Sequence, residues 1–294
     1  MRTVRIGSRQ SALAIAQTRI VMEAIARHDP SVQMELVAIS TKGDRHLDRS
    51  IEAVGGKGVF VKELEAALLD RRVDLCVHSL KDMEVVENSE LPICAVGKRQ
   101  HPHDVLVLPQ GVKALKEGGV VGCSSKRRQL QLGKLLPGCT VKPVRGNVNT
   151  RLQKLDAGEY DALVLAAAGL HRLGLWDRIS SEFDIGEMLP ACGQGIIAVQ
   201  CRAGYACDYL DSFRDQDAWD ITTAERAYLR AIGGGCSSAA TANAQVKGQR
   251  LTIRGYAVNS CGNMVHGMAA GSRAQAGMLG NELAEYLKNE AEKR

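Results

Sequence analysis

The chain has 294 residues, a formal net charge of +5 and a hydrophobic fraction of 45%, with aromatic residues at 4%. This length allows two or three compact domains, and the scarcity of aromatic residues predicts aliphatic cores of the kind found in α/β layers. The net charge is too small to indicate nucleic-acid binding by itself. The chain contains no run of about 18 apolar residues, which is the length that would predict a membrane span.

Nine cysteines are present, an odd number, and no Cys-x-x-Cys pair occurs. A disulfide scaffold is therefore disfavoured, and reduced thiols in a cytoplasmic protein fit better. Residues 1–6 read as a strand and not as a signal segment, which agrees with a cytoplasmic location. Cys94, His101 and His103 form a loose candidate set of metal ligands, but their spacing is not typical of a metal site, so we expect no metal.

Strands and helices alternate through residues 1–200. Strands are predicted at 3–7, 33–40, 74–78, 92–97, 104–108, 120–122, 140–144, 160–166 and 196–200. Helices are predicted at 12–27, 59–70, 126–136 and 152–157. This alternation predicts two α/β domains with parallel, doubly wound sheets.

The pattern changes after Asp220. One helix is followed by short strands at 242–246, 251–258 and 264–270, and by a terminal helix at about 273–290, which indicates a small α+β domain. The first of these helices leads to Gly233-Gly234-Gly235-Cys236. A cysteine on such a turn is either an attachment point or nucleophile, or simply a small buried residue, and the local sequence leaves both interpretations open.

Serine, lysine and arginine recur where a predicted strand ends and a helix begins, at residues 8–11, 79–82, 124–128 and 145–151. Ligands of open α/β sheets bind beyond the carboxyl ends of the strands, where helix N-termini favour anions. Cations in a first helical turn oppose the helix dipole, so their repetition predicts a ligand with several negative charges, a polycarboxylate or a phosphate ester. Singly, each of Arg127, Arg128 and Arg151 could instead be a solvated surface residue.

Asp82 is an acid within this cationic set. It could act as a general acid or base, or stabilise a cationic intermediate, but it could also cap a helix or form an ion pair. The glycine-rich loop around Lys57 lacks the spacing of a P-loop. The basic run at 124–128 has no interleaved aromatic residues, so we expect no nucleic-acid partner.

Taken together, these segments resemble the porphobilinogen deaminase (hydroxymethylbilane synthase) family. The matching segments run in order through nearly the whole chain: IGSRQSALA at 6–14, TKGD at 41–44, GGKGVFVKE at 55–63, HSLKD at 78–82, GCSSKRRQ at 122–129, RGNVNTR at 145–151, LPACGQG at 189–195, AER at 224–226 and GGC at 234–236. No single matching segment is specific to this family, but the occurrence of all of them in the same order is.

The resemblance implies three domains. Two are α/β domains related to the halves of periplasmic binding proteins, expected at 1–97 with 195–213 and at 98–194. The third, at 214–294, is the small α+β domain that carries the cysteine.

The resemblance also implies a cytoplasmic, monomeric transferase of tetrapyrrole (heme) biosynthesis, with no metal, membrane or nucleic-acid partner. A dipyrromethane cofactor on Cys236, held by a thioether, would prime the addition of four porphobilinogen units. Each addition releases ammonia, and hydrolysis then frees hydroxymethylbilane. Asp82 matches the catalytic aspartate, which would assist ammonia loss and stabilise positive pyrrole nitrogens.

The matching positions extend to the binding residues, whose shared task is to hold the acetate and propionate groups of the pyrroles. The expected cofactor-binding residues are Cys236, Lys81, Asp82, Ser125, Arg127, Arg128, Arg145 and Gly146. The expected substrate-binding residues are Arg9, Ser11, Lys57, Ser79, Arg145, Arg151, Arg172 and Gln194.

The chain departs from the family pattern at a few positions. Met83-Glu84 follows Asp82 where a proline is usual two residues after the aspartate, and His101 and His103 stand at the expected hinge between the first two domains. Two alternatives therefore stay open. The chain could be a non-catalytic anion-binding module, or a family member that has drifted to another role.

Overall fold

A computed structural model describes residues 3–45, 60–234 and 238–293. Two predicted site residues, Lys57 and Cys236, lie outside these ranges. The chain divides into two compact units, the first formed by residues 1–100 and 196–219 and the second by residues 101–195 and 220–294. The finer division into three domains stays a prediction.

The first unit is built on a five-stranded sheet. Its strands are β1 (Thr3–Arg9), β2 (Gln33–Ile39), β3 (Leu75–Ser79), β4 (Ile93–Val96) and β10 (Ile197–Cys201). Their order across the sheet is β2-β1-β3-β10-β4. β1 runs parallel to β2 and β3, whereas β10 is antiparallel to β3 and β4. The carboxyl ends of β1 and β3 therefore meet at one edge.

The helices of this unit are α1 (Ala12–His28), α2 (Lys42–Arg45) and α3 (Lys62–Leu69). The hydroxyl of Ser11 caps α1 by accepting a hydrogen bond from the backbone nitrogen of Ala14 at 3.3 Å. Val21 and Ile25 are fully buried in the same apolar cluster as Val4 and Ile6 of β1. Each such burial stabilises the fold by about 1.5–3 kcal/mol.

The second unit contains another five-stranded sheet and a smaller antiparallel one. The larger sheet has the order β7-β6-β8-β5-β9 and consists of β5 (Asp104–Val107), β6 (Val120–Gly122), β7 (Thr140–Lys142), β8 (Ala162–Ala166) and β9 (Ser181–Glu182). β6 is parallel to β7 and β8, and β5 is antiparallel to β8 and β9. Its helices are α4 (Lys126–Leu135), α5 (Val148–Asp156) and α6 (Ala167–Arg172).

The smaller sheet joins β11 (Thr241–Lys247), β12 (Arg250–Val258) and β13 (Met264–Ser272), and the associated helices are α7 (Gln216–Ala231) and α8 (Ala276–Glu292). α8 approaches α7 so closely that a Cβ atom at Gly280 would lie 2.2 Å from the carbonyl oxygen of Ala224. Glycine is therefore needed at that crossing.

The predicted fold class, two α/β domains with a small α+β domain, is confirmed. The prediction that the two larger sheets are parallel is wrong, because β10 and β5 each run antiparallel to the strands beside them. The two-residue strand β9 was not predicted. α5 begins at Val148 instead of residue 152, because the Asn147 side chain caps it by accepting a hydrogen bond from the nitrogen of Thr150 at 3.0 Å. No helix in the described part of the chain has both the length and the apolar character needed to cross a membrane.

The buried His78 in β3 generates a prediction about acid stability. Burial lowers the pKa of His78 to about 4, whereas an unfolded histidine titrates near pH 6.5. As the pH falls from about 6.5 to about 4, the unfolded state binds a proton that the folded state does not, so the free energy of unfolding decreases. Between about pH 7.5 and pH 5 the decrease due to His78 is about 2 kcal/mol.

We expect His78→Met to remove this part of the pH dependence, as measured by urea unfolding at the two pH values. His28 is exposed at the end of α1, and His28→Gln serves as the control that keeps the dependence. Equal pH dependence in His78→Met and the wild type would contradict the assignment.

Candidate active site

The first unit gathers five of the predicted site residues at one sheet edge. Arg9 ends β1 and Ser11 precedes α1, while Ser79 ends β3 and is followed by Lys81 and Asp82 in a 3₁₀ turn (Leu80–Asp82). Parallel pairing of β1 with β3 brings these two separate segments to the same edge. The expected grouping at the carboxyl ends of parallel strands is thus present.

Ser79 is held in place by α1. Its hydroxyl accepts a hydrogen bond from Nε2 of Gln17 at 2.8 Å and lies 3.1 Å from Oε1 of the same residue. Gln17 is 3% exposed. The sequence analysis did not single out Gln17, although a glutamine on the apolar face of an amphipathic helix is a usable signal.

Arg9 is positioned by an aromatic ring. Its guanidinium carbon lies 4.0 Å from the centroid of the Phe60 ring, a cation–π geometry worth about 0.5–2 kcal/mol. Phe60 in turn packs on Gly43, where a Cβ atom would lie 2.1 Å from the ring. Gly43 of α2 thereby supports the ring that contacts Arg9.

Asp82 is half-buried, and its neighbours Met83 and Val85 are buried. The nitrogen of Leu80 donates to the carbonyl of Ile196 at 3.0 Å and ties the 3₁₀ turn to the chain that leads into β10. Among residues 3–45, 60–234 and 238–293, no hydrogen bond or ion pair engages the Asp82 carboxylate. The alternatives of a capping or ion-paired aspartate are therefore not realised within this part of the chain, and the carboxylate is available to a ligand.

In the second unit, a buried ion cluster organises the corresponding sheet edge. Asp104, which is fully buried at the start of β5, lies 2.7 Å from Nη1 of Arg127 and 2.7 Å from Nη2 of Arg128. Nε2 of Gln194 donates to the same carboxylate at 2.9 Å. Burial alone would raise the pKa of Asp104, but the two guanidinium charges and their hydrogen bonds outweigh it and hold the pKa well below its usual value.

The two arginines also bind backbone oxygens. Nη1 of Arg127 donates to the carbonyl of Leu189 at 2.5 Å, and Nη1 of Arg128 donates to the carbonyl of Val164 at 2.9 Å. Arg127 and Arg128 are 4% and 7% exposed, so the alternative of solvated surface arginines is wrong for both. Their contact with a cofactor stays a prediction, and Asp104 is the partner that the sequence analysis missed. An acid at the start of an apolar strand was the available signal.

The loop between β7 and α5 carries Arg145, Gly146 and Arg151. Gly146 has a φ of +113°, and a Cβ atom there would lie 2.7 Å from the Thr150 side chain. Nε of Arg151 donates to the Gly146 carbonyl at 2.8 Å. Ser125 caps α4 at the end of the neighbouring strand β6. The structure thus brings Ser125 and these three residues to the carboxyl edge of β6 and β7.

Arg172 is held differently from Arg127 and Arg128. Its Nη2 donates to the Gly195 carbonyl at 2.6 Å, while its buried Nε has no hydrogen-bond partner. Burial lowers the pKa of Arg172 to about 10. No acidic side chain in the described ranges pairs with it. A desolvated guanidinium without an acid partner favours binding of an external anion.

His101 lies close enough to His171 and Arg172 for their charges to affect its pKa. The His101 ring stacks on His171 with ring centroids 3.7 Å apart and an interplanar angle of 3°. Burial and the neighbouring His171 lower the pKa of His101, which keeps this ring neutral at pH 7. A neutral His101 ring adds no positive charge to compete with Arg172 for an anion.

A buried glutamate anchors α7, the helix that precedes Cys236 in the chain. Glu225 in α7 accepts hydrogen bonds from the nitrogen of Gly193 at 2.6 Å and from that of Ala244 at 2.7 Å. α7 ends at Ala231, Gly233 beyond it has a φ of +72°, and the Gly234 nitrogen donates back to the Leu229 carbonyl at 2.9 Å. Residues 235–237, which include Cys236, lie outside the described residues.

Comparisons with known proteins show the family to which the chain belongs. Residues 4–207 match the family model "Porphobilinogen deaminase, dipyromethane cofactor binding domain", and residues 219–289 match "Porphobilinogen deaminase, C-terminal domain". The chain belongs to the porphobilinogen deaminase family. The family match shows that the chain contains the domain that binds the dipyrromethane cofactor.

Porphobilinogen deaminases of known sequence are similar over nearly their whole length. The one from Acetivibrio thermocellus is 49% identical over 97% of this chain and 98% of its own. The one from Alkaliphilus oremlandii is 48% identical over 98% of each chain. Among solved structures, the methionine-binding protein MetQ aligns with a TM-score of 0.45 and 11% identity, covering 75% of this chain and 94% of its own.

The described residues fit the chemistry of a dipyrromethane, which presents carboxylates and pyrrole N–H groups. Within the described ranges, Arg172 offers a buried N–H group that lacks an acceptor, and Asp82 offers a carboxylate that lacks a donor. In each unit, then, one charged group of the described residues has hydrogen-bonding capacity for a ligand.

The buried cluster generates a stability prediction. Asp104→Asn leaves two buried guanidinium groups without their acid, which is expected to destabilise the protein by about 3–5 kcal/mol. Asp156→Asn is the control, because its pair with Arg178 at 2.8 Å is more exposed and is expected to contribute about 1 kcal/mol or less. Urea unfolding of the three proteins at neutral pH measures both values. Equal losses in the two variants would show that the buried cluster has no special role.

Proposed function

We propose that this chain is a hydroxymethylbilane synthase. It joins four porphobilinogen units with loss of one ammonia per unit, onto a primer attached to Cys236, and releases hydroxymethylbilane by hydrolysis. The observation that carries the proposal concerns the Asp82 carboxylate, which has no hydrogen-bond or ion-pair partner within the described residues. It lies at the sheet edge that also contains Arg9 and Lys81.

The substrate explains why both signs of charge occur at this edge. Porphobilinogen carries an acetate, a propionate, a pyrrole N–H and an aminomethyl group that is cationic at neutral pH. Arginine binds the carboxylates in bidentate fashion, whereas the carboxylate of Asp82 binds the pyrrole N–H and the departing ammonium. A partner with only one sign of charge would leave either the cations or Asp82 without a function.

Asp82 acts on the charge that develops during the reaction. Loss of ammonia leaves a positive charge that is shared by the methylene carbon and the pyrrole nitrogen. A fixed carboxylate beside that nitrogen stabilises the charge, and it is most effective where water is excluded. The pyrrole carbon that has added to this methylene carbon must then lose a proton, and the same carboxylate is the group that accepts it.

The basic residues bind and orient. Arg9 is fixed by the Phe60 ring before any ligand binds, so little conformational entropy is lost on binding. Arg172 gains in carboxylate binding because its burial has already removed most of its hydration. We infer that these two residues, with Arg145 and Arg151, hold acetate and propionate groups.

The dipyrromethane cofactor supplies, when bound, the pyrrole end to which the first porphobilinogen is joined. We infer that Cys236 is its attachment point, because the residue comes soon after the end of α7, the helix that Glu225 anchors to Gly193 and Ala244. The thiol is thereby a permanent tether and not a nucleophile that is renewed in each cycle.

Family membership further supports a monomeric cytoplasmic enzyme with porphobilinogen as its small-molecule substrate and without nucleic-acid or membrane partners. A non-catalytic anion-binding module is the alternative from a different class. It would need the cations of these sheet edges, but it would need neither the unpaired Asp82 nor a covalent group on Cys236.

Intact-protein mass spectrometry tests the tether. Purified from a host that makes porphobilinogen, the chain is expected to exceed its sequence mass by one dipyrromethane, and Cys236→Ser is expected to have the unmodified mass and no activity. Cys261→Ser removes an exposed thiol and is expected to retain the added mass. An unmodified wild-type chain from such a host would refute the enzyme assignment.

Asp82→Asn tests the catalytic role. The substitution keeps the shape of the side chain and breaks no contact in the described part of the chain, so the fold and the bound dipyrromethane are expected to persist. Turnover of porphobilinogen is expected to fall by about 10²–10⁴-fold, the usual contribution of a positioned acid or base. Glu84→Gln removes a neighbouring acid and is expected to stay within about threefold of the wild type. An Asp82→Asn variant with wild-type turnover would exclude the assigned role.

A further inference from the structure

Three cysteines that are far apart in sequence converge in the first unit. The Sγ atoms of Cys94, Cys201 and Cys207 all lie within 4.8 Å of one another. Cys201 and Cys207 are 3% and 6% exposed, and Cys94 is partly buried against the same apolar cluster. All three are free thiols. They lie in segments to which the deaminase mechanism assigns no role.

The backbone of β4 is irregular where it contributes to this cluster. Ala95 pairs with Val199 and Ile93 pairs with Gln200, so Cys94 is the extra residue of a β-bulge. A bulge gives up a regular ladder pairing and redirects the side chain of its extra residue. Cys201 ends β10, the strand that β4 pairs with, and Cys207 directly precedes a 3₁₀ turn (Asp208–Leu210). Three different local structures thus direct their sulfur atoms to one point.

A cation accompanies the sulfur atoms. Nη2 of Arg214 donates to Sγ of Cys207 at 3.2 Å, and Nε of Arg214 donates to the carbonyl of Cys94 at 3.2 Å. The Arg214 side chain is 38% exposed, so the cluster is connected to solvent through this residue. A guanidinium on sulfur stabilises a thiolate relative to a thiol.

We propose that Cys94, Cys201 and Cys207 form a three-thiolate binding site for a thiophilic divalent cation of the Zn²⁺ class. Three sulfur atoms that each lie about 2.3 Å from one ion are separated from each other by about 3.8–4.0 Å. The observed separations need to shorten by less than about 1 Å to reach this geometry. Thiolate ligands select soft and borderline metals over Mg²⁺ and Ca²⁺.

The charges favour a divalent ion over a monovalent one. A divalent ion with three thiolates has a net charge of −1, and Arg214, which also pairs with Asp211, lies against the sulfur atoms and offsets part of that charge. A monovalent ion would leave a net charge of −2 in an apolar cluster, and burial of uncompensated charge is costly. Binding releases one proton from each thiol, three per ion, and neither an oxidant nor a reductant takes part.

Cadmium titration of the full chain tests the site, because Cd²⁺ bound to thiolates absorbs in the near ultraviolet. The protein is kept reduced with a phosphine, and native mass spectrometry with Zn²⁺ gives the stoichiometry. One ion per chain is expected for the wild type. Cys94→Ala and Cys207→Ala are each expected to weaken binding by at least tenfold, and Arg214→Gln by a smaller factor.

Cys261→Ala is the matched control, since it removes an exposed cysteine outside the cluster and is expected to bind like the wild type. Circular dichroism and porphobilinogen turnover verify that each variant is folded. A wild type that binds no ion, or cluster variants that bind as tightly as Cys261→Ala, would overturn the proposal. Failure of the deaminase assignment would leave this result unaffected, because the titration does not depend on turnover.

Discussion

Burial of positive charge is the constraint around which the second unit is arranged. A guanidinium removed from water costs several kcal/mol unless an acid or a set of oxygen acceptors accompanies it. Arg127 and Arg128 meet this requirement within the protein, through Asp104 and the carbonyls of Leu189 and Val164. Arg172 has one carbonyl and no acid within the described ranges. Arg127 and Arg128 therefore stabilise the sheet edge, whereas Arg172 has the capacity to bind an anionic ligand.

The first unit likewise combines side chains that are held by neighbours within the described part of the protein with one charged group that is not, and here that group is an acid. Ser79 is held by Gln17 and Arg9 by Phe60, so both groups are ordered before a ligand arrives. Asp82 lies on the same edge, and no side chain of the described residues neutralises it. A carboxylate with this freedom suits a reaction in which positive charge appears on a pyrrole. Gln17 and Phe60, which are not predicted site residues, thus hold Ser79 and Arg9 in position.

The sequence allowed the strand-end positions of the site to be predicted, because periodicity locates strands and parallel strands share an edge. Asp82 and the arginine segments were found in this way. Asp104, Gln17 and Glu225 were missed as partners, because each acts on a residue distant in the chain and local pattern contains no record of such pairing. The burial of Arg127 and Arg128 was missed for the same reason. The thiol cluster could not be predicted either, since it depends on a bulge in β4 that places Cys94 beside Cys201 and Cys207.

The position of β10 in its sheet determines when the sheet of the first unit can be completed during synthesis. β10 lies between β3 and β4, and among the described strands β4 pairs with β10 alone. All five strands of the larger sheet in the second unit lie between Asp104 and Glu182, so they leave the ribosome before β10 does. Because domains generally fold as units during synthesis, the N-terminal part of this chain waits with β4 unpaired while the later part assembles its sheet. The sheet of the first unit is thus completed only after all five strands of the larger sheet of the second unit have been synthesised.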